Sequence, residues 1–252
     1  MRSASRLMHI VLFDIDGTLI NSDGAGRRAL SRAFERAHAW EDALGGITLH
    51  GNTDPAIVES VYLNRRQSPP TSSETARFFG LYLQELPRSL KESRSFRVLP
   101  GVGRLLARLS AREDTVIGLA TGNIERGARL KLRHGRLDRR FAFGGFGSDA
   151  RDRADIVRAA IGRATAYLPE GTEAVIWLVG DMPSDIKAGK AAGVRAIAVA
   201  TGGASEETLR EAQPDVILPD LSDCDAFLSL LGSAPAGREP AKGPEGSSRR
   251  AP

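Results

Sequence analysis

The stretch Phe-Asp-Ile-Asp-Gly-Thr-Leu, residues 13–19, is the most informative part of this sequence. It continues a short apolar run, residues 9–13, which predicts a buried β-strand. Asp14 and Asp16 can enter one pocket if the chain leaves the strand here, and Gly17 permits such a turn. A carboxylate that attacks phosphorus, a second that transfers a proton, and a divalent cation would use this arrangement. An ordinary Asp-Gly turn after a strand is the alternative.

The composition is typical of a soluble globular protein. Hydrophobic residues make up 41% of the 252 residues and charged residues 26%. No apolar stretch approaches the roughly 20 residues needed to cross a bilayer, so we predict no membrane partner. The N-terminus has no apolar segment typical of a secretory signal, and the single Cys224 fits a reducing compartment. We therefore expect a cytoplasmic protein.

The net charge of +4 comes from the two ends of the chain. Residues 7–232 are neutral in sum, whereas a nucleic-acid interface needs basic residues clustered on a folded face. We therefore predict no nucleic-acid partner. The terminal segment 233–252 is rich in Pro, Gly, Ser and Ala and lacks large apolar residues, which predicts a disordered tail.

The order of the predicted elements indicates an α/β fold. From residue 100 onward helices alternate with apolar strands, which predicts a doubly wound parallel sheet covered on both faces. Between residues 21 and 95 we predict helices and no strand. We expect a catalytic core of residues 7–20 and 96–232, an inserted α-helical cap of residues 21–95, and the tail. The predicted strands after the first are 115–120, 141–146, 174–179, 194–200 and 215–218.

Polar residues follow four of the predicted strands. In a parallel α/β sheet, ligands bind at the carboxyl ends of the strands, so these residues are expected to share one site. A hydroxyl and amides at a helix N-terminus suit an anion, a nearby arginine can reach that anion, and paired carboxylates suit Mg²⁺. The four sets are Asp14 with Asp16, Thr121-Gly122-Asn123, Arg151 with Arg153, and Asp181 with Asp185.

This constellation resembles the haloacid dehalogenase superfamily of phosphohydrolases over nearly all of residues 7–232. The matching motifs are Asp-x-Asp-Gly-Thr at 14–18, Thr121, a basic residue before a helix, and Gly-Asp-x-x-x-Asp at 180–185. An insertion after the first motif is similar to the members with a helical cap, which include phosphoglycolate phosphatases and β-phosphoglucomutases. Segments 120–123 and 146–149, with Arg153, look closest to the phosphoglycolate-phosphatase-like members.

The resemblance implies a role for each matching residue. Asp14 would be the nucleophile and a metal ligand, and Asp16 the general acid and base, with its carbonyl on the metal. Thr121 would hold a phosphate oxygen, and Asp181 and Asp185 would bind Mg²⁺. Most relatives have lysine in the third motif. Here we prefer Arg153 over Arg151.

Several further residues are candidates for substrate binding, each with a structural alternative. Thr18, Gly122 and Asn123 could contact the phosphate, although Asn123 could instead cap the following helix, as Asp185 could cap its own. Relatives extend the loop Asn52-Thr53-Asp54 toward the substrate, but Thr53 or Asp54 could equally start a helix before Pro55. The Arg-rich helix 126–140 is interpreted as a solvated face.

The sequence thus predicts a Mg²⁺-dependent phosphatase that acts on a small phosphorylated metabolite through an aspartyl-phosphate, with phosphoglycolate as a candidate substrate. A phosphosugar mutase of the same superfamily is one alternative. A non-catalytic protein that binds a phosphorylated metabolite is another, although the full set of acidic residues argues against it.

Overall fold

The computed structural model describes residues 7–232. The predicted disordered tail, residues 233–252, lies outside the described residues. The strands are β1 (Met8–Phe13), β2 (Ile20–Asn21), β3 (Arg97–Val98), β4 (Thr115–Thr121), β5 (Gly144–Phe146), β6 (Ala174–Gly180), β7 (Arg195–Val199) and β8 (Val216–Leu218). The α-helices are α1 (Ala25–His38), α2 (Asp54–Arg66), α3 (Ser72–Lys91), α4 (Val102–Ser110), α5 (Glu125–His134), α6 (Arg153–Ala164), α7 (Pro183–Ala191), α8 (Glu206–Glu211) and α9 (Cys224–Gly232).

Six strands form one parallel sheet in the order β5-β4-β1-β6-β7-β8. The predicted doubly wound parallel sheet is confirmed. Strand β1 lies in the middle and alternates its side chains between the two faces. Val11 and Phe13 pack into a core with residues of α4, α5 and α9, whereas Ile10 and Leu12 pack against α6 and α7. The strand is therefore buried on both sides, which explains its unbroken apolar sequence.

Helices α1, α2 and α3 have a hydrophobic cluster of their own. Phe34, Tyr62, Phe78 and Tyr82 are its largest buried side chains. Ile124, just before α5, is the member that comes from the sheet side, so the two cores touch at that residue. The chain enters and leaves this helical unit through a short antiparallel pair, with Ile20 of β2 opposite Val98 of β3. In the described part of the chain, none of the helices is long and apolar enough to span a membrane.

Two parts of the sheet region differ from the sequence prediction. The predicted strand 141–146 is wrong in its first half, because only Gly144–Phe146 pair with β4. Phe141 owes its apolar character to packing, since its ring meets Phe13 edge-on at 6.2 Å. Helix α9 was not expected at all, and its Phe227 stacks on Phe13 at 6.4 Å between ring centroids.

Candidate active site

The carboxyl ends of β4, β1 and β6 bring the predicted polar residues together. These strands are neighbours in the sheet, so Thr121 at the end of β4, Asp14 after β1 and Asp181 after β6 lie at one edge. All three are buried. The rule that ligands bind at this edge of a parallel sheet therefore applies to the residues that the sequence singled out.

Asp14, Asp181 and Asp185 form a compact cluster of carboxylates. One oxygen from each lies within 4.8 Å of the others. Burial and then the neighbouring charge of Asp185 raise the pKa of Asp14 to about 7, against the opposing effects of Arg153 and a hydrogen bond with Thr121. Burial and the charges of Asp185 and Asp14 raise the pKa of Asp181 to about 8. Three buried carboxylates that repel one another are suited to bind a hard divalent cation such as Mg²⁺.

Asp181 occupies space that is available because Gly17 and Gly202 have no side chain. A Cβ on Gly17 would lie 2.3 Å from Asp181 Oδ2, and one on Gly202 would lie 1.7 Å from the same atom. Gly17 also has a φ of +86°, which favours glycine. The hydroxyl of Thr18 is buried and donates to Asp181 Oδ1 at 2.9 Å. Thr18 thus supports Asp181 and is not part of the cavity wall.

Arg153, the first residue of α6, is the arginine that reaches the acidic cluster. Its Nη2 contacts Asp185 Oδ1 and lies 3.6 Å from Asp14 Oδ2. Arg151 instead pairs with Glu59 of α2. The other oxygen of Asp185, Oδ2, accepts from the Met182 amide at 3.0 Å, so this residue both stabilises the start of α7 and belongs to the cluster.

Asp16 lies in a separate network of donors. Its Oδ1 accepts from the Ser22 hydroxyl at 2.9 Å, and its Oδ2 accepts from Asn123 Nδ2 at 3.0 Å and Lys131 Nζ at 2.5 Å. Burial alone would raise the pKa of Asp16, but Lys131 and the hydrogen bonds outweigh it, so the pKa is lowered. The carboxylate form of Asp16 is therefore stabilised.

Lys131 is the site residue that the sequence reasoning missed. The expectation that helix 126–140 forms a solvated face is wrong for Lys131, because only 4% of this residue is exposed. The buried face of α5 consists of Gly127, Ala128, Lys131 and Leu132, two pairs at the i, i+4 spacing of a helix. Lysine beside the apolar positions Ala128 and Leu132 was the signal that could have revealed it.

Asn123 does not cap α5, so that alternative is wrong. The N-cap is Ile124, and the Asn123 side chain points to the acid residues. Its Nδ2 also donates to Thr121 Oγ1 at 2.9 Å. Asn123 therefore connects Thr121 with Asp16.

The loop before α2 contacts the sheet region through Asp54. The Asp54 amide donates to Gly122 O at 2.8 Å, and its Oδ2 accepts from the Ile124 amide at 2.9 Å. Burial raises the pKa of Asp54 to about 6, partly offset by Lys131. Thr53 caps α2 by accepting from the Ala56 amide at 3.3 Å, as its structural alternative predicted. The side chain of Asn52 donates to Thr48 O at 2.8 Å.

A cavity of about 560 Å³ separates the acidic cluster from the helical unit. Its floor includes Asp14, Asp16 and Asp181, and its opposite wall includes Asn52, Asp54 and Arg27 of α1. The cavity wall therefore combines residues of the sheet edge with residues of α1 and α2. The remaining predicted residues on its wall are Thr121, Gly122, Asn123 and Arg153.

Comparison with known proteins identifies the family. The profile of the haloacid dehalogenase-like hydrolases matches residues 11–199. No curated protein matches the sequence. Among solved structures, a predicted phosphoglycolate phosphatase from Haemophilus somnus is 19% identical, with 90% of this chain and 100% of that chain covered and a TM-score of 0.63.

Two further structures have similar folds. A candidate β-phosphoglucomutase from Bacteroides vulgatus is 19% identical, with 90% of each chain covered and a TM-score of 0.64. CbbY from Rhodobacter sphaeroides, solved with phosphate, is 20% identical over 86% of this chain and 96% of that chain, with a TM-score of 0.64. Since the family profile spans most of the chain, including the acidic residues of the site, this protein belongs to the haloacid dehalogenase-like hydrolase family.

Proposed function

We propose that this chain is a Mg²⁺-dependent phosphatase that hydrolyses a small phosphorylated metabolite through an aspartyl-phosphate on Asp14. The observation that carries the proposal is the cluster of Asp14, Asp181 and Asp185 beside Arg153, of which Asp14, Asp181 and Arg153 line the cavity. A carboxylate nucleophile next to positive charge is suited to attack on phosphorus.

In the first half-reaction, an oxygen of Asp14 attacks phosphorus and the bond from phosphorus to the leaving oxygen breaks. Arg153 and the Thr121 hydroxyl flank Asp14 and would hold the phosphate oxygens. The loop at Gly122 and Asn123 precedes α5, so its amides add donors for the same anion. Asp14, Asp181, Asp185 and the Asp16 carbonyl would hold Mg²⁺, which supplies positive charge against the carboxylates and the phosphate.

Asp16 would transfer the proton in both half-reactions. Because the free site favours its carboxylate, Asp16 first takes the proton of a substrate that binds as the phosphate monoanion, and it passes this proton to the leaving oxygen. It then takes a proton from the water that attacks the aspartyl-phosphate and returns it to the released phosphate. Its carboxylate lines the same cavity as Asp14. The cycle ends with free phosphate and both aspartates in their starting states.

We also propose that residues 21–95 act as a cap over the core of residues 7–20 and 96–232. Closure of such a unit excludes water and completes the site. The cavity wall on this side carries Arg27, which forms no ion pair within residues 7–232. A free cation here favours a substrate with an acidic organic portion, such as phosphoglycolate, which the Haemophilus somnus relative is predicted to hydrolyse. We propose Asn52 as a further contact and Asp54 as the residue that docks the cap.

The decisive experiment is hydrolysis of a panel of phosphorylated metabolites and p-nitrophenyl phosphate. With Mg²⁺, we expect phosphate release, removal of activity by EDTA, its return with Mg²⁺, and inhibition by Ca²⁺. Ca²⁺ takes more oxygen ligands at longer distances and would misalign Asp14. The Asp14→Asn variant should fold normally and release no phosphate, because an amide is a poor nucleophile. Near-normal turnover by that variant, or full activity in Ca²⁺ alone, would overturn the proposal.

The same panel separates the alternatives. A phosphosugar mutase would return the phosphoryl group to a sugar phosphate, so the isomerised sugar phosphate would appear without free phosphate. The Bacteroides vulgatus relative, named as a candidate mutase, is the reason to include hexose phosphates. Binding of substrates without any turnover would leave a non-catalytic binding protein.

A further inference from the structure

Lys131 places a buried ammonium group directly on the proposed acid and base. Its side chain comes from α5 and is 6% exposed. Nζ donates to Asp16 Oδ2 at 2.5 Å and to Asn123 Oδ1 at 2.6 Å. Both contacts are charge-assisted, and such hydrogen bonds are roughly twice as strong as neutral ones.

These two contacts fix the orientation of both partners. Because Asn123 Oδ1 accepts from Lys131, its Nδ2 is directed to Asp16 Oδ2 and Thr121 Oγ1, at 3.0 and 2.9 Å. Asp16 Oδ2 therefore has two donors on one side, while Ser22 holds Oδ1. Removal of Lys131 would free the amide to turn and the carboxylate to rotate.

The surrounding chain makes room for this ammonium. Gly26 of α1 faces it, and a Cβ at that position would lie 3.2 Å from Nζ. Burying a charged lysine is costly unless it is paired, and Lys131 is paired with Asp16 and near Asp54. An apolar residue would fit a purely structural position beside Ala128 and Leu132 equally well.

We propose that Lys131 is a positioning residue that holds Asp16 and Asn123 in the orientation required for proton transfer. This inference rests on the proposed phosphatase function. The ammonium does not contact the phosphate in our proposal. It acts through Asp16, which gives a proton to the leaving oxygen as the substrate bond to phosphorus breaks, and takes one from water as the Asp14–phosphorus bond breaks.

The test compares two substrates with different needs for a proton. An alkyl phosphate needs one for its leaving oxygen, whereas p-nitrophenolate leaves without one. In the Lys131→Met variant we expect kcat/KM to fall about 10- to 100-fold for the alkyl phosphate, since a misplacement of about 1 Å can cost about 100-fold. For p-nitrophenyl phosphate we expect kcat/KM to stay within about threefold, because the first half-reaction needs no acid there.

The second half-reaction still needs Asp16 to activate water, whichever substrate is used. With p-nitrophenyl phosphate the variant should therefore show a lowered kcat, a burst of nitrophenolate close to one equivalent, and acid-quenched protein that carries a phosphoryl group. If Lys131 only stabilised the fold, its substitution would lower kcat/KM for both substrates together and would produce no burst of nitrophenolate. The Lys131→Gln variant, which keeps N–H donors on a side chain one bond shorter, should recover part of the loss.

The matched control is Arg133→Met, which removes a positive charge from the same helix at a side chain that is 70% exposed. We expect its kinetics to match the wild-type chain. Thermal unfolding checks that the variants fold. If Lys131→Met does not fold, the comparison is made with Lys131→Gln. Equal losses of kcat/KM for both substrates, without a burst, would overturn the inference about Lys131 but not the proposed function. A wild-type chain that never forms a phosphoryl adduct would overturn the proposed function, and the inference with it.

Discussion

Arg153 contacts two carboxylates with one nitrogen. Its Nη2 contacts Asp185 and lies 3.6 Å from Asp14, and within the described residues the other guanidinium nitrogens form no hydrogen bond with either carboxylate. Burial disfavours the charged guanidinium, but the two carboxylates outweigh it and raise the pKa of Arg153. These contacts do not use the planar fork that usually distinguishes arginine from lysine, so we expect the positive charge at the Nη2 position to matter more than the fork.

This geometry predicts how Arg153 variants behave. Arg153→Met should lower kcat/KM for p-nitrophenyl phosphate by at least about 100-fold, because the proposed donor to the phosphoryl group would be lost. Arg153→Lys should stay within about tenfold of the wild-type chain, since an ammonium can occupy nearly the same place. Arg151→Met, which affects only the pair with Glu59, is the control and should change little. A lysine variant as inactive as the methionine variant would show that the fork itself is required.

At the start of α5, the helix is capped by a residue from another part of the chain. Ile124 has no side-chain cap of its own, and the Asp54 carboxylate accepts from its amide. The same Asp54 begins α2, so one residue joins the ends of two helices across the boundary between the helical unit and the sheet. The raised pKa of Asp54, about 6, gives this junction a dependence on pH.

We predict that Asp54→Asn will be at least as stable as the wild-type chain above pH 6, and that Asp54→Ala will be less stable than Asp54→Asn by about 1 kcal/mol. Asparagine keeps an acceptor for the Ile124 amide and cannot ionise. Because the folded pKa lies above the unfolded value, the contribution of Asp54 to stability is present below about pH 4 and is lost as the pH rises through about 6. Denaturant unfolding from pH 4 to 8 measures this.

In those measurements the free energy of unfolding of the wild-type chain, relative to Asp54→Asn, should fall by about 2 to 3 kcal/mol between pH 4 and 7. Thr53→Ala is the matched control, because it removes the cap of α2 without removing a titratable group. A difference between wild type and Asp54→Asn that stays constant with pH would contradict the prediction.

The local sequence is sufficient to predict the site residues that directly follow apolar strands. Asp14, Thr121 and Asp181 end apolar runs that could only be buried strands, and the rule for parallel sheets brings such ends together. The choice of Arg153 as the basic residue of the site follows from its position at the start of a helix. The order of the strands in the sheet is a tertiary property, but these site residues can be predicted without it.

The residues that escaped prediction depend on contacts between distant segments. Lys131 is surrounded by arginines in sequence, and only the packing of α5 under Gly26 separates it from them. Helix α9 is held by a stacking contact of Phe227 with Phe13. Strands β2 and β3 have two residues each, too few to show an alternating pattern.

At the scale of the whole molecule, the cavity lies between the two hydrophobic cores. The short pair β2–β3 connects them at the chain crossings, and α3 packs on α5. The Glu59–Arg151 ion pair and the Asp54–Ile124 contact also join them. We infer that these last two contacts open to widen the path for substrate while the β2–β3 pair stays in place. Hinged closure of this kind is common where water must be excluded.

A reversible cross-link tests this opening. Glu59→Cys with Arg151→Cys would place two thiols where the ion pair now joins α2 to the segment before α6. The chain has a single native cysteine, Cys224, and it is buried, so a short cleavable thiol reagent should react only at the new pair. Turnover should fall at least about tenfold on cross-linking and return on cleavage, because substrate entry and product release both need the opening. Each single-cysteine variant treated with the same reagent should keep its activity. Full turnover by the cross-linked protein would mean that substrate reaches Asp14 without any movement of α2.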